Sequence, residues 1–252
     1  MKRIWLVCIA WLCLWVLLVP VAPALSLDDV NSQRHPKDPN LFQFVRIRYN
    51  GYVGFGNSNR WGPPPWMHDY PRAEKNFLKI LMELTSVETT PDSYLILDLN
   101  DPEIMNYPIL YVSEPGYWQI NDQEITNLRN YLTRGGFMIF DDFRGEREWN
   151  NLTSAMKRVF PDWTFRELTL DHPVFHCFYD IETLEMHPPY NVPGQPTFYG
   201  LFDEEEQIQA VANFNNDIGD YWEWSDDSFT PVNLSNEAFK FGINYIIYGM
   251  TH

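Results

Sequence analysis

The sequence predicts an α/β domain whose sheet is mainly parallel and carries helices on both faces. Three observations carry that expectation. Strand-like and helix-like segments alternate from Phe42 to Pro161, the apolar runs are short and of the buried-strand kind, and the helix near Asn121 is marked at both ends. No period of roughly 20 to 50 residues repeats, which argues against solenoids and propellers.

Taken in order, F-Q-F-V-R-I-R-Y (Phe42 to Tyr49) alternates apolar and polar residues like a half-buried strand. A loop rich in Gly and Pro follows to Tyr70. Pro71 opens a helix in which Ala73, Phe77, Ile80, Leu81 and Leu84 fall at helical spacing. P-I-L-Y-V (Pro108 to Val112) is a buried-strand run. The next helix has Asn121 as N-cap, Glu124 at the capping-box position, Ile120 and Ile125 as a hydrophobic staple and Gly135 as its stop. Phe137 to Phe140 forms a strand. A helix after Gly145 places Trp149, Leu152, Met156 and Val159 on one side and ends at Pro161. Val174 to Ile181 and Gln209 to Phe214 read as strands, separated by a Pro-rich loop from Met186 to Pro196. A last helix runs from about Ser235, its expected cap, towards Tyr248, with Gly242 marking a close backbone approach.

Residues 1–26 have the layout of a signal peptide or N-terminal membrane anchor. Lys2 and Arg3 precede an apolar run, then Pro20 and small residues with Ala22 and Ala24 at a cleavage-like position. The uncharged stretch 4–27 is also long enough to span a bilayer core of about 30 Å. Either way residues 27–252, a single domain, are expected outside the cytoplasm, periplasmic or extracellular, with the membrane met only through an uncleaved leader. Cys8 and Cys13 lie in the leader, so cleavage leaves only Cys177 and no internal disulfide. It also leaves 16 basic against 34 acidic residues, a net charge of −18. Such a surface repels phosphate backbones, and nucleic acid is not an expected partner.

Several segments, D-Y-P-R-A-E-K-N-F-L, P-I-L-Y-V, L-R-N-Y-L-T-R-G-G-F-M-I-F-D-D, D-H-P-V-F-H-C-F-Y-D-I and F-G-I-N-Y-I-I-Y-G-M, together resemble the bacterial family called domain of unknown function 4159. The resemblance runs from about Phe42 to Met250. It implies a flavodoxin-like or class I glutamine amidotransferase-like sheet and an association with the cell envelope, and it assigns no activity. Amidotransferases of that fold carry a cysteine on the tight turn after a central strand, served by a histidine. Here the corresponding turn holds Asp142 and Phe143. Cys177 sits in an apolar stretch and reads as a structural thiol. There is no G-x-S-x-G elbow either. A binding or envelope-assembly module is therefore expected over an enzyme.

In such a sheet ligands gather where strands end and helices begin. His68 and Asp69, Asp141 and Asp142, and Asp217 and Asp220 would share that edge. They suit a divalent cation or a polar ligand, with His68 or His172 assisting. In the plainer alternative Asp142 caps the next helix, Asp141 bonds backbone and the other acids are solvated. A metal-assisted hydrolase using Asp141 and Asp142 is the enzyme alternative. His172 and His176 would lie about 13 Å apart along a strand, too far to share an ion, although a helical turn opened by Pro173 would bring them together. The aromatic residues near the acids, Trp61, Trp66, Tyr221, Trp222 and Trp224, suit a glycan surface or simply a sealed core. The candidate partners are thus a small ligand, a glycan or an envelope protein.

Overall fold

A computed structural model of the protein describes residues 40–51, 63–192, 194–227 and 230–252. The leader with Cys8 and Cys13, and Trp61, lie outside the described residues. The strands are β1 (Phe44–Arg48), β2 (Asn50–Gly51), β3 (Tyr94–Asp98), β4 (Ile109–Ser113), β5 (Trp118–Gln119), β6 (Phe137–Phe143), β7 (Thr164–Glu167), β8 (Thr197–Phe202) and β9 (Ile208–Phe214). The helices are α1 (Arg72–Leu84), α2 (Asp122–Leu132), α3 (Gly145–Val159), α4 (Ile218–Glu223) and α5 (Val232–Thr251). None of the described helices is long and apolar enough to cross a membrane.

Seven strands form one sheet in the order β3-β1-β4-β6-β9-β8-β7. The first five of these are parallel, and β8 and β7 extend the sheet antiparallel at one edge. Counted along the chain, the parallel strands lie 2-1-3-4-5, the flavodoxin-like order, whose switch point falls between β1 and β4. Side chains alternate across this sheet. Phe44, Tyr111, Ile139 and Val211 join Phe77, Trp222, Phe241 and Tyr245 in one core under α1, α4 and α5. The intervening Val45, Ile47, Leu110, Val112, Met138 and Phe140 are equally buried on the opposite face, where α2 and α3 pack together.

Several local expectations need correction. The segment 42–49 is buried on both faces rather than one, because helices cover both, and even Arg46 is only 1% exposed. Leu84 is exposed, and Leu78 takes its place on the buried face of α1. Val174 to Ile181 is not a strand. Pro173–Phe175 is a 3-10 turn, and the Asn244 side chain bonds both the N–H and the carbonyl of Tyr179, taking the place of a neighbouring strand. Val174, Phe175 and Ile181 are buried by packing, as in the edge-to-face contact of Phe175 with Phe241, and not by a ladder, while Phe178 is exposed. The last helix starts at Val232 after Pro231, so Ser235 lies inside it and is no cap. The capping box of Asn121 and Glu124 is present at α2. Gly242 does allow a close approach: a Cβ there would lie 2.5 Å from the Trp222 ring and 2.6 Å from Phe77.

Arg46 is paired with Glu74 of α1, both side chains being 1% exposed. Its guanidinium also donates to the carbonyls of Trp66 (3.1 Å) and His68 (2.8 Å) and lies 4.9 Å over the Tyr111 ring. Burial alone would lower its pKa, but Glu74, Tyr111 and Asp69 outweigh burial and raise it, so Arg46 stays charged. Breaking a buried pair strands the remaining charge at a cost of about 3–5 kcal/mol. Glu74→Ala is expected to lower unfolding stability by about that much, measured by urea titration. A loss below about 1 kcal/mol would show that the pair is not a support of the fold.

Candidate functional site

The C-terminal ends of β4, β6 and β9 meet the loop that follows β1. β6 reaches this edge through a bulge. Phe140 faces Ala212 and Phe143 faces Phe214, so three steps along β6 match two along β9. The extra residue lies at Asp141 and Asp142, and Asp142 takes a left-handed φ of 55°. The bulge separates the roles of two adjacent acids.

Asp141 is fully buried and accepts four hydrogen bonds. The donors are Tyr111 Oη (2.9 Å), Asn213 Nδ2 (2.9 Å), and the backbone N–H groups of Ile218 (3.2 Å) and Gly219 (2.8 Å). Asn213 in turn accepts from Tyr245 Oη at 2.9 Å. Burial pushes the Asp141 carboxyl up and these donors pull it down, leaving it at about 6. Both of its oxygens are committed to the protein. Among the expected ligands, Asp141 is therefore the support of α4 and not a free donor to a ligand.

Asp142 points elsewhere. Its Oδ1 accepts from Tyr190 Oη at 2.7 Å, and its Oδ2 lies 2.9 Å from His68 Nδ1. It does not cap α3. Arg144 occupies the cap position, and its N–H is taken by Glu148 at 2.8 Å. His68 Nδ1 is also 3.1 Å from Asp69 Oδ1. One N–H cannot point squarely at two oxygens, and neither contact has the angle of a hydrogen bond. Asp217 caps α4 through Oδ1, which accepts the Asp220 N–H at 2.9 Å. Its Oδ2 has no partner. One ligand atom from each of His68, Asp69, Asp142 and Asp217 lies within 4.8 Å of the others, and the corresponding atoms of Asp69, Asp220 and Glu223 form a second such group.

The electrostatics reflect this crowding. The close carboxylates of Asp142 and Asp69 push the His68 imidazolium up to about 11, although its side chain is 45% exposed. Burial raises the Asp142 carboxyl, but His68, Tyr190 and Arg144 more than reverse that, and it lies below the usual carboxylate value. Burial takes Asp69 up to about 6, with His68 opposing. Burial and the charges of Asp142, Asp69 and Asp141 hold Asp217 well above the ordinary value. Glu114, on the turn after β4, reaches about 8, and Glu223 about 7, in both cases chiefly through burial.

The structure thus brings together His68, Asp69, Asp142 and Asp217, with Asp220 beside them, and leaves out the others. His172 caps the 3-10 turn at Pro173, accepts the Val174 N–H and lies 6.1 Å from the Tyr248 ring. Tyr248 contacts Phe137 at the start of β6, roughly 16 Å of strand from Asp142. His172 is therefore no ligand of this cluster. His176 is occupied by Asp180 and the Leu170 carbonyl. Trp222 is 1% exposed and packs between Phe44, Phe77 and Tyr111, so it offers no face to a ligand, and Trp66 is equally buried. Cys177 Sγ bonds the Asn244 carbonyl, and burial holds the thiol up at about 11. Glu114 and Tyr190 join the site without being among the residues the sequence predicts. The Pro-Gly turn after β4 was the only available signal for Glu114, and nothing in the loop marks Tyr190.

The sequence profile of the family described as Domain of unknown function (DUF4159) matches residues 43–250. The chain belongs to the DUF4159 family. Comparison with curated proteins gives no match. In this DUF4159 domain the cluster lies at the flavodoxin-like switch-point edge, and two of its carboxylates, Asp69 (φ 63°) and Asp142 (φ 55°), sit on left-handed backbone.

A carboxyl whose folded pKa exceeds its unfolded value binds its proton more tightly when folded, so stability falls as pH rises between the two. Asp69, Asp141, Glu223, Glu114 and Asp217 all act in this sense above about pH 4. His68, raised from 6.5, adds to the loss above that pH. Asp142 opposes only near its unfolded value, at the acid end. The chelated protein is expected to lose stability from about pH 4.5 to 8 in urea titrations. Stability that is flat or rises over that window would contradict the ionisation pattern.

Proposed function

We propose that this DUF4159 domain is a binding module that holds a divalent cation on His68 Nδ1 and carboxylate oxygens of Asp69, Asp142 and Asp217. The observation that carries the reading is a set of buried carboxylate oxygens, on Asp69, Asp142 and Asp217, that have no hydrogen-bond donor. Buried acceptors are normally satisfied, and several facing one another are costly unless a cation joins them. The spacing agrees. Donors about 2.1 Å from an ion stand roughly 3 Å apart when adjacent and about 4.2 Å apart when opposite. His68 Nδ1 lies 2.9 and 3.1 Å from two of these oxygens, and the whole set falls within 4.8 Å. One imidazole with three carboxylates suits Mn2+ or Zn2+ better than Ca2+, which prefers 6–8 oxygens. The leader sequence supports action outside the cytoplasm, on a polar ligand or an envelope partner.

One observation favours metal-assisted hydrolysis as a second reading. Burial and the nearby Asp142 charge push the Glu114 carboxyl up to about 8, beside Asp142 and His68 where an acid would be needed. Cation-dependent turnover of a chromogenic ester or phosphoester that Glu114→Gln reduces at least tenfold would favour the hydrolase. Equal turnover in that variant would remove the argument for it.

The binding reading is tested by thermal unfolding of the full-length chain after chelation and then with Mn2+ or Zn2+. A cation at about 100 times its Kd adds roughly 2.7 kcal/mol and raises Tm by about 5 to 10 °C. Asp217→Asn keeps the cap oxygen and removes one buried charge. It is expected to unfold no earlier than wild type without cation and to lose the cation-induced rise. A rise that survives in Asp217→Asn would place the cation elsewhere.

A further inference from the structure

We propose that Asp69 bridges two cations, the second held by Asp220 and Glu223 beside the cavity that Asp220 lines. The inference rests on the single-cation reading and extends it. Asp69 has a side chain with no exposure, yet both of its oxygens lack a hydrogen-bond donor. The two oxygens look in different directions. Oδ1 faces His68, whereas Oδ2 faces α4, where a Cβ on Gly219 would come within 2.9 Å of it. Glycine at 219 is what lets the carboxylate lie against that helix.

The same helix presents Asp220 and Glu223 three residues apart, a spacing that puts side chains on one face. Ligand atoms of Asp69, Asp220 and Glu223 lie within 4.8 Å of one another, so Asp69 belongs to both groups. Asp220 is steadied through Oδ1, which accepts from Trp224 Nε1 at 2.9 Å. Two cations sharing a carboxylate stand about 3.5–4 Å apart in two-metal sites. A single divalent ion would leave net negative charge among Asp69, Asp142, Asp217, Asp220 and Glu223, even with Arg144 and Arg72 counted.

The two positions differ in access. The first is enclosed by the buried carboxylates of Asp69, Asp142 and Asp217. The second borders a cavity of about 700 Å³ lined by Asp220, Tyr221, Trp224, Pro188, Pro189 and Leu234. Coordination positions left open at the second cation would face that cavity. A ligand with oxygen donors could then bind the cation while its apolar part lies against the Tyr221 and Trp224 walls.

The test is Mn2+ binding to the full-length chain, read as stoichiometry by equilibrium dialysis and as the electron paramagnetic resonance spectrum at saturation. Two Mn2+ per chain with a spin-coupled spectrum are expected. Glu223→Gln, and independently Asp220→Asn, should weaken the second Mn2+ at least tenfold and leave one ion with an uncoupled spectrum. The variants' chelated unfolding temperatures should match wild type, showing that they are folded. One Mn2+ per chain that is indifferent to Glu223→Gln, or two ions without coupling, would overturn the bridge and leave the single-cation reading standing. No Mn2+ bound by wild type would overturn both.

Discussion

The four hydrogen bonds on Asp141 are the constraint from which the site is built. They join β4 through Tyr111, β9 through Asn213, and the first turn of α4 through Ile218 and Gly219 to the end of β6. A short helix has little stability of its own. Held at its N-terminus by a buried carboxylate, α4 keeps Asp217, Asp220 and Glu223 in place. The bulge that accommodates Asp141 is also what turns Asp142 out of register, so that the next side chain reaches His68 instead of the core.

The other half of the site depends on Arg46. A charged side chain in the middle of a buried parallel strand is expensive, and Glu74 offsets its charge. Arg46 Nη1 donates to the carbonyls of both Trp66 and His68, which fixes that stretch of chain at the height of Asp142. One buried cation thus orders the loop, and one buried anion orders the helix. Between them lies a cluster of acids whose mutual repulsion weakens the fold, an expense more easily explained at a ligand site than in a purely structural one.

The aromatic residues are used mainly for support. Phe44, Phe77, Tyr111 and Trp222 form one contacting group beneath the site, and Phe143, Trp149, Tyr199 and Phe214 form another beside it. With no disulfide among the described residues, this packing carries the stability that the acid cluster costs. Trp224 differs: it is partly exposed, donates to Asp220 and lies under Arg72. It also lines the cavity beside Asp220.

Much of the fold was legible in the sequence because its signals are local. The capping box at Asn121, the helical spacing after Pro71 and the apolar runs in β4 and β6 each depend on neighbours within a few residues, and they sufficed for the α/β class and the DUF4159 family. β3, β7 and β8 escaped notice, since Tyr94–Asp98 is a five-residue run and Thr164–Glu167 is largely polar at the sheet edge. Val174 to Ile181 reads like a strand because β-branched and aromatic residues mark burial, which packing supplies to Val174, Phe175 and Ile181 without a ladder. The acids at the strand ends could likewise be grouped from sequence, because an α/β sheet sends all those loops to one edge. Only tertiary structure separated Asp141 from Asp142, withdrew Trp222 and His172, and added Glu114 and Tyr190. That division depends on which oxygen each donor reaches, a matter of distances between segments far apart in the chain, and no local pattern encodes it.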